Sequence, residues 1–212
     1  MIKLYYRPGS CAMLPYIVLE DSGADYEAVI VDDDTLYSEE YRKINPRNQV
    51  PSLINEDGDL LTESVAIAVW AANKYKSDLA PPPDSWEYGK MLMCLNFMAS
   101  QQHPLGFAFY LRPFRWHDDE TVQAALSEKG RQNWLAAMER TNNWAKEGSG
   151  WLVGDKMTCA DALAWVHARW GLRVEPKTNE AFPELWELAK RVEQRPSVQR
   201  VIAASGLEPI RE

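Results

Sequence analysis

Two tyrosines, a serine and a cysteine stand close together in the stretch YYRPGSC, residues 5–11. A thiol and hydroxyls around a Pro-Gly turn can hold or activate a nucleophile. If Ser10 or Gly9 caps a following helix, Cys11 lies in its first turn, where unpaired N–H groups and the helix dipole favour a thiolate. Cys11 can equally be a small buried apolar residue. The candidates for chemistry here are Cys11, Ser10 and a tyrosine hydroxyl, which includes that of Tyr6.

Two further stretches can bind a ligand with amino acid character. Gln49-Val50-Pro51 contains an X-Pro bond at a predicted turn, a candidate cis peptide. A cis bond would leave the amide and carbonyl of Val50 unpaired, so that they can pair with an extended peptide. Glu63-Ser64 begins a predicted helix, whose amides form an anion site beside an acid that can pair with an ammonium. Read alone, Ser64 is a helix cap.

Residues 103–116 combine a histidine with aromatic and basic side chains. By itself, His103 before Pro104 is typical of a structural histidine at a helix end. The aromatic side chains either line a site for an apolar ligand or pack between helices; they are Phe107, Phe109, Tyr110, Phe114 and Trp116. Arg112 and Arg115 favour a negatively charged substrate, or are simply solvated.

Strand and helix patterns place these residues on recognisable elements. Apolar periodicity and turn signals predict the order βαβαββα over the first 75 or so residues, which implies helices on both faces of a small mixed sheet. Three consecutive prolines then indicate a stiff linker at 78–87. From there the pattern is only helical, at 87–111, 119–147, 158–171, 182–194 and 196–204. We therefore expect an α/β domain over 1–77 and an all-helical domain over 88–212.

Composition excludes several classes of partner. A formal net charge of −8 argues against nucleic acid and anionic membranes, because both bind clustered Lys and Arg. The longest apolar run, at 65–72, is far too short to span a bilayer. Three widely spaced cysteines without a CxxC motif fit a reducing compartment, so we expect a cytoplasmic protein.

Six motifs in this order resemble the cytosolic glutathione transferases, and the resemblance is closest to their bacterial beta class. They extend over essentially the whole chain and read YYRPGSC, INPRNQVPSL, LLTESVAI, LNFMASQQH, GDKMTCADA and QRPSV. The resemblance implies a thioredoxin-like N-terminal domain followed by an all-helical domain. It also implies a homodimer, with glutathione as co-substrate and no metal.

Site residues carry over from the resemblance one at a time. Cys11 matches the cysteine that faces the glutathione sulfur, and Val50, ahead of a cis Pro51, matches the residue that pairs with the tripeptide backbone. Glu63 and Ser64 match the pair that holds the γ-glutamyl end. His103 matches a histidine that the second domain contributes to the active site.

Two features depart from the beta-class pattern. Ser10 stands where serine-type relatives carry their activating hydroxyl, and Tyr6 stands about where tyrosine-type relatives carry theirs. Residues 32–40 contain no lysine, although beta-class members often place one there, near the glycyl carboxylate of glutathione. Arg47 is a partial substitute for that cation.

The resemblance implies conjugation of the glutathione thiol to small hydrophobic electrophiles. A second hypothesis is thiol–disulfide or peroxide chemistry, in which Cys11 forms a mixed disulfide that another glutathione resolves. A third is a non-catalytic binder of hydrophobic ligands, because a fold does not fix a function.

Overall fold

The computed structural model describes residues 1–210 and divides the chain into two compact units. The first unit comprises residues 1–81 together with the C-terminal segment from Val192 onward. The second comprises residues 82–191. No helix of the described residues is both long enough and apolar enough to cross a membrane.

The first unit is built on a mixed sheet of four strands, which confirms the predicted fold class. The sheet order is β2-β1-β3-β4, with β1 parallel to β2 and antiparallel to β3, and β3 antiparallel to β4. The strands are β1 (Ile2–Tyr6), β2 (Tyr26–Ile30), β3 (Ser52–Ile54) and β4 (Leu60–Thr62). The helices are α1 (Met13–Ser22), α2 (Asp33–Leu36), α3 (Glu39–Ile44) and α4 (Ser64–Lys74). The short helix α2 was not expected from the sequence.

Alternation along β1 explains how the core of this unit forms. Ile2, Leu4 and Tyr6 are buried and Lys3 is exposed, because successive side chains of a strand point to opposite faces of the sheet. Helices α1 and α4 pack against each other. The N-terminal part of α1 is continuously buried, from Met13 to Leu19.

The C-terminal segment packs against α1. It carries α11 (Pro196–Ala204), and Arg195 just before it donates to the carboxylate of Asp21 through Nη2 at 2.8 Å. The Ser197 hydroxyl donates to the same carboxylate at 2.8 Å. The structural grouping therefore differs from the predicted division, which placed the whole of 88–212 in one helical domain, because α11 buries its apolar face against α1.

The second unit is helical, as expected. Its elements are α5 (Trp86–Phe97), a π-helix (Met98–Ala108), α6 (Phe109–Leu111), a 3-10 turn (Pro113–Arg115), α7 (Glu120–Glu147), α8 (Cys159–Trp170), a 3-10 turn (Gly171–Arg173), α9 (Thr178–Ala181) and α10 (Pro183–Glu193); α10 continues into the first unit. Where the periodicity predicted one helix over 87–111, the structure has three consecutive helical segments, a π-helix between two α-helices. Pro104 lies inside the π-helix, since its missing N–H and its ring are incompatible with a regular α-helical turn.

The start of α8 is a capping box. The Thr158 hydroxyl accepts from the Ala160 amide at 3.2 Å, and the Asp161 carboxylate accepts from the Thr158 amide at 2.7 Å. Asp161 also accepts from the Leu152 amide at 2.8 Å. All three bonds are buried, so Asp161 ties the preceding loop to the helix.

Candidate functional site

The turn between β1 and α1 holds the first group of candidate residues. The Ser10 hydroxyl donates to the Arg7 carbonyl at 2.7 Å and accepts from the Ala12 amide at 3.2 Å. Regular helix begins at Met13, two residues later than expected. Because Pro15 has no N–H, the Cys11 carbonyl instead accepts from the Leu14 amide at 3.2 Å. Ser10 thus fixes the turn that presents Cys11.

Cys11 meets the second group of candidates at Val50. Its Sγ is 4.0 Å from the Val50 carbonyl oxygen, across 39 residues of sequence. The Val50-Pro51 peptide is cis, as predicted. Cys11 is half-buried and takes part in no disulfide. The fold therefore brings a partly exposed thiol next to a backbone segment that the sequence singled out for peptide binding.

Three buried polar side chains hold that backbone segment in place. Tyr41 and Asn45 both donate to the Gln49 carbonyl at 2.8 Å, and Ser52 donates to it at 3.2 Å. Asn45 and Tyr41 also hydrogen-bond the Ser52 hydroxyl, each at 2.9 Å. Burial raises the pKa of Tyr41, so it stays a neutral donor. Sequence reasoning missed this network; the spacing of Tyr41 and Asn45 by one helical turn is the signal that could have pointed to it.

Glu63 and Ser64 lie at the start of α4. Glu63 has a φ of 68°, a left-handed conformation that residues other than glycine adopt mainly at special sites. Glu63 is the N-cap residue of α4, but its side chain makes no capping hydrogen bond. Ser64 is the first residue of the helix rather than its cap. Arg47 donates to the Glu63 carboxylate at 3.3 Å, and both side chains are exposed. Arg47 thus lies beside the acid of the predicted ammonium site.

Tyr6 is buried in the core of the first unit. It is 2% exposed, its ring packs on Tyr16 at 4.6 Å, and its hydroxyl accepts from Ser205 at 3.4 Å. Its neighbour Tyr5 is half-buried and contacts the Tyr41 ring at 5.9 Å. The geometry therefore gives no support to Tyr6 as the hydroxyl that faces a ligand.

The loop that follows β2 contains no lysine, and its acids face an arginine instead. Arg7 makes a bidentate ion pair with Asp33, with distances of 2.6 and 2.8 Å. The Asp33 carboxylate, through a hydrogen bond with Arg7, raises the pKa of that guanidinium. A ligand carboxylate at this edge would therefore compete with Asp33 for Arg7.

His103 lies in the second unit, on the π-helix, in an aromatic surrounding. Its ring is 4.6 Å from the Trp170 ring and 6.2 Å from the His167 ring. Burial, and then the positive charges of Arg112 and Arg115, lower the pKa of His103 to about 4. The imidazole is accordingly neutral at pH 7 and can accept a hydrogen bond there.

The aromatic run divides into a buried part and an exposed part. Phe107 is buried and stacks on Trp170 at 4.7 Å, so it belongs to the helical core. Phe114 and Trp116 are 60% and 45% exposed. The packing reading is thus confirmed for Phe107, and the ligand-site reading stays a prediction for the exposed rings.

The described residues contain no group of three or more His, Cys, Asp or Glu side chains that could hold a metal ion. What the first unit offers is a thiol beside an anchored loop, with a helix start and an acid on α4. Such groups can bind a small peptide that carries an ammonium and a carboxylate at one end.

Comparison with known proteins identifies relatives over the whole chain. Residues 4–82 match the family model described as glutathione S-transferase, N-terminal domain, and residues 108–205 match the model described as glutathione S-transferase, C-terminal domain. The chain is 33% identical to the glutathione S-transferase GstA of Escherichia coli O157:H7, over 98% of this chain and 100% of the relative.

Solved structures of similar fold include two from sphingomonads. The bacterial beta class glutathione S-transferase of Sphingomonas chungbukensis is 27% identical, with a TM-score of 0.82 over 97% of this chain and 100% of that one. A sphingomonad glutathione S-transferase complexed with glutathione is 28% identical, with the same TM-score and the same coverage of both chains.

Proposed function

The chain belongs to the glutathione S-transferase family, and from this premise we propose that it conjugates the glutathione thiol to small hydrophobic electrophiles. The thiol loses its proton, the thiolate sulfur forms a bond to the electrophilic carbon, and a leaving group such as chloride departs with the bonding electrons. The observation that carries the proposal is the contact between Cys11 Sγ and the carbonyl of Val50, beside the cis Pro51.

Glutathione binds to the first unit in this proposal. The amide and carbonyl of Val50 pair with the cysteinyl part of the tripeptide, and the loop from Gln49 to Pro51 is held ready by Tyr41 and its partners. The α4 amides and the Ser64 hydroxyl bind the γ-glutamyl carboxylate, and the Glu63 carboxylate pairs with its ammonium. Retention on immobilised glutathione tests this reading, and no binding at millimolar free glutathione would overturn it.

Ser64→Ala tests the carboxylate contact. A hydrogen bond to a charged group is worth roughly 1.5–3 kcal/mol, so we expect the dissociation constant for glutathione to rise about ten- to a hundredfold by calorimetry. Ser22→Ala is the matched control, because the Ser22 hydroxyl bonds to the Leu19 carbonyl within the same unit. An unchanged dissociation constant with a lowered melting temperature would make Ser64 a structural residue.

Activation of the thiol rests on the turn at the start of α1. We propose that the Cys11 thiol stabilises the glutathione thiolate and that the Ser10 hydroxyl, which donates to the Arg7 carbonyl, holds the turn that presents Cys11; the part of His103 stays a prediction from the resemblance. Conjugation rates of Cys11→Ala, Ser10→Ala and His103→Gln separate the three contributions. If all three variants retain the original kcat/KM, this assignment is wrong.

Glutathione-dependent disulfide exchange is the second candidate function, and the half-buried Cys11, which takes part in no disulfide, favours it. The Cys11 thiolate attacks the glutathione sulfur of a mixed disulfide and releases the other thiolate. A second glutathione thiolate then attacks the Cys11–glutathione disulfide, which gives oxidised glutathione and regenerates Cys11. Cys11→Ala should abolish the mixed disulfide in mass spectra; its persistence on another residue would exclude this route.

A homodimer and a cytoplasmic location complete the proposal. Trp86 and Met93 are 76% and 49% exposed and lie seven residues apart on α5, so they share one face of the helix. Exposed apolar side chains on one face suit a contact with a second copy. Light scattering should give twice the chain mass, and Trp86→Ser with Met93→Glu should lower it to that of a monomer; a monomer in the unmodified protein would contradict the proposal.

A further inference from the structure

The peptide group between Gln49 and Val50 is satisfied at one end and open at the other. Its carbonyl accepts hydrogen bonds from Tyr41 and Asn45, both at 2.8 Å. Its N–H belongs to Val50, which is half-buried, and this N–H donates to no acceptor among the described residues. A backbone donor that the protein does not pair is available to a ligand or to water.

Three buried side chains form a donor cluster around that carbonyl. They are Tyr41, Asn45 and Ser52, with exposed fractions of 1%, 2% and 0%. The Asn45 side chain is oriented by its oxygen, which accepts from the Arg47 amide at 3.0 Å. Its nitrogen then donates one hydrogen to the Gln49 carbonyl and the other to the Ser52 hydroxyl, at 2.9 Å. Both hydrogens of this amide are thus used inside the cluster.

The two hydroxyl hydrogens of the donor cluster point toward the same carbonyl. Tyr41 has one, which it donates to the Gln49 carbonyl. Ser52 has one, which goes either to the Tyr41 oxygen at 2.9 Å or to the Gln49 carbonyl at 3.2 Å. Every hydrogen that the cluster donates therefore leads, directly or through a neighbour, to one oxygen atom. Linked hydrogen bonds polarise one another, and they are strong where burial excludes water.

The direction of the Val50 N–H follows from the planarity of the peptide. The cis peptide bonds of the described residues are Val50-Pro51 and Glu175-Pro176, so the Gln49-Val50 bond is trans. In a trans peptide the C=O and the N–H point in opposite directions. Because the carbonyl points into the donor cluster, the N–H points away from it. Electron density drawn toward the carbonyl oxygen also leaves the hydrogen of this N–H more positive, which makes it a better donor.

We propose that Tyr41 is a positioning residue, which with the rest of the donor cluster aims and polarises the Val50 N–H as a donor for the cysteinyl carbonyl of the thiol substrate. This inference rests on the proposed binding of glutathione. It adds a selectivity to that binding, because a residue paired in antiparallel fashion exchanges two hydrogen bonds with its partner. A thiol whose cysteine carries an amide carbonyl can accept from the Val50 N–H, whereas a simple aminothiol cannot.

Calorimetric titration with two thiols tests this selectivity. Glutathione has the cysteinyl carbonyl, and γ-glutamylcysteamine keeps the γ-glutamyl group and the thiol but lacks that carbonyl and the glycine. In Tyr41→Phe we expect the dissociation constant of glutathione to rise about fivefold and that of γ-glutamylcysteamine to change less than about twofold. Each thiol is compared with itself in the two proteins, so the missing glycine cancels.

Tyr26→Phe is the control, because it removes a phenol of the same unit whose hydroxyl donates to Glu20. It should leave both dissociation constants unchanged. If Tyr41→Phe weakens both thiols equally, the phenol only stabilises the loop and the inference is wrong; if it weakens neither, the inference is wrong as well. If neither thiol binds to the unmodified protein, the proposed function fails, and the inference fails with it.

Nuclear magnetic resonance of the protein without ligand tests the polarisation itself. The carbonyl carbon of Gln49 and the amide nitrogen of Val50 belong to one peptide group, so the loss of the Tyr41 hydrogen bond should shift both resonances, the carbonyl carbon upfield. Tyr26→Phe should leave both in place. Unchanged resonances in Tyr41→Phe would show that the donor cluster does not act on the Val50 N–H, and would overturn the inference even if glutathione binds.

Discussion

Two helices of this protein begin with the same chemical sequence, a hydroxyl residue followed by Cys-Ala. Ser10-Cys11-Ala12 leads into α1, and Thr158-Cys159-Ala160 begins α8. Cys159 is fully buried behind the Asp161 capping box. Cys11 has no acid in the first turn of its helix, is half-buried and touches the carbonyl of Val50. A helix start thus favours a thiolate only where the tertiary structure leaves it uncovered.

The largest expected difference between the two helix starts is in thiol reactivity. We expect iodoacetamide to modify Cys11 at least about a hundredfold faster than Cys159 or Cys94, because the buried thiols react only after local unfolding. Burial and then the nearby Asp161 raise the pKa of Cys94 to about 12, which slows it further. Peptide mass spectrometry of a time course measures all three rates.

Denaturant and glutathione serve as controls for that measurement. In urea the three cysteines should react at similar rates, since the difference comes from the fold. Glutathione should protect Cys11 alone. Equal rates for Cys11 and Cys159 in the native protein would remove the contrast between the two helix starts.

Removing the capping acid should destabilise α8. Asp161→Ala leaves the buried amides of Leu152 and Thr158 without their acceptor, so we expect a loss of about 2–4 kcal/mol in the free energy of unfolding. Urea denaturation followed by tryptophan fluorescence measures it. Asp155→Ala, an exposed acid in the same loop, is the control; equal stability of the two variants would show that the capping box is dispensable.

His167 on α8 should make the free energy of unfolding depend on pH, and α1 contains no histidine that could do the same. Both ring nitrogens of His167 are buried and lack a hydrogen-bond partner among the described residues. Burial lowers the pKa of His167 in the folded state, and repulsion from His103, when that ring is protonated, acts in the same direction. The folded protein therefore binds fewer protons, so this contribution to stability is present above the unfolded pKa of about 6.5 and is lost as the pH falls.

His167→Phe should flatten that dependence. Between pH 7 and pH 5 we expect the variant to lose about 2 kcal/mol less than the unmodified protein in urea titrations. Comparing each protein with itself at two pH values cancels any packing change that Phe introduces. The control is His117→Gln, at an exposed histidine; an identical pH dependence of the His167 variant and the unmodified protein would contradict the argument.

The smallest expected effect comes from replacing each sulfur by oxygen. Cys159→Ser puts a hydroxyl into a fully buried site, and we expect it to cost about 1–2 kcal/mol. Cys11→Ser should change the free energy of unfolding by less than about 0.5 kcal/mol, since Cys11 is half-buried. Thermal denaturation of the two variants in parallel measures both changes. A larger loss of stability for Cys11→Ser than for Cys159→Ser would contradict this expectation.

Local signals in the sequence were enough for the strands, most helices and the cis peptide at Val50-Pro51. They were not enough for the π-helix, because apolar spacing around Pro104 does not distinguish a π-helix from an α-helix. Nor did they predict the buried Tyr41, Asn45 and Ser52 around the Gln49 carbonyl, which depend on contacts between separate elements. Tyr6 was a candidate from its position in the chain, and only the packing on Tyr16 shows that it faces the core.

The union of residues 192–210 with the first unit has a consequence for synthesis on the ribosome. The sheet and α1 leave the ribosome early. Asp21 on α1 pairs with Arg195 and Ser197, and these two residues are translated only after the whole of residues 82–191. Until then the face of α1 that α11 covers stays open to water and to other chains. A nascent chain of this protein is therefore expected to need protection for most of its translation, even though its first unit is largely encoded in the first third of the message.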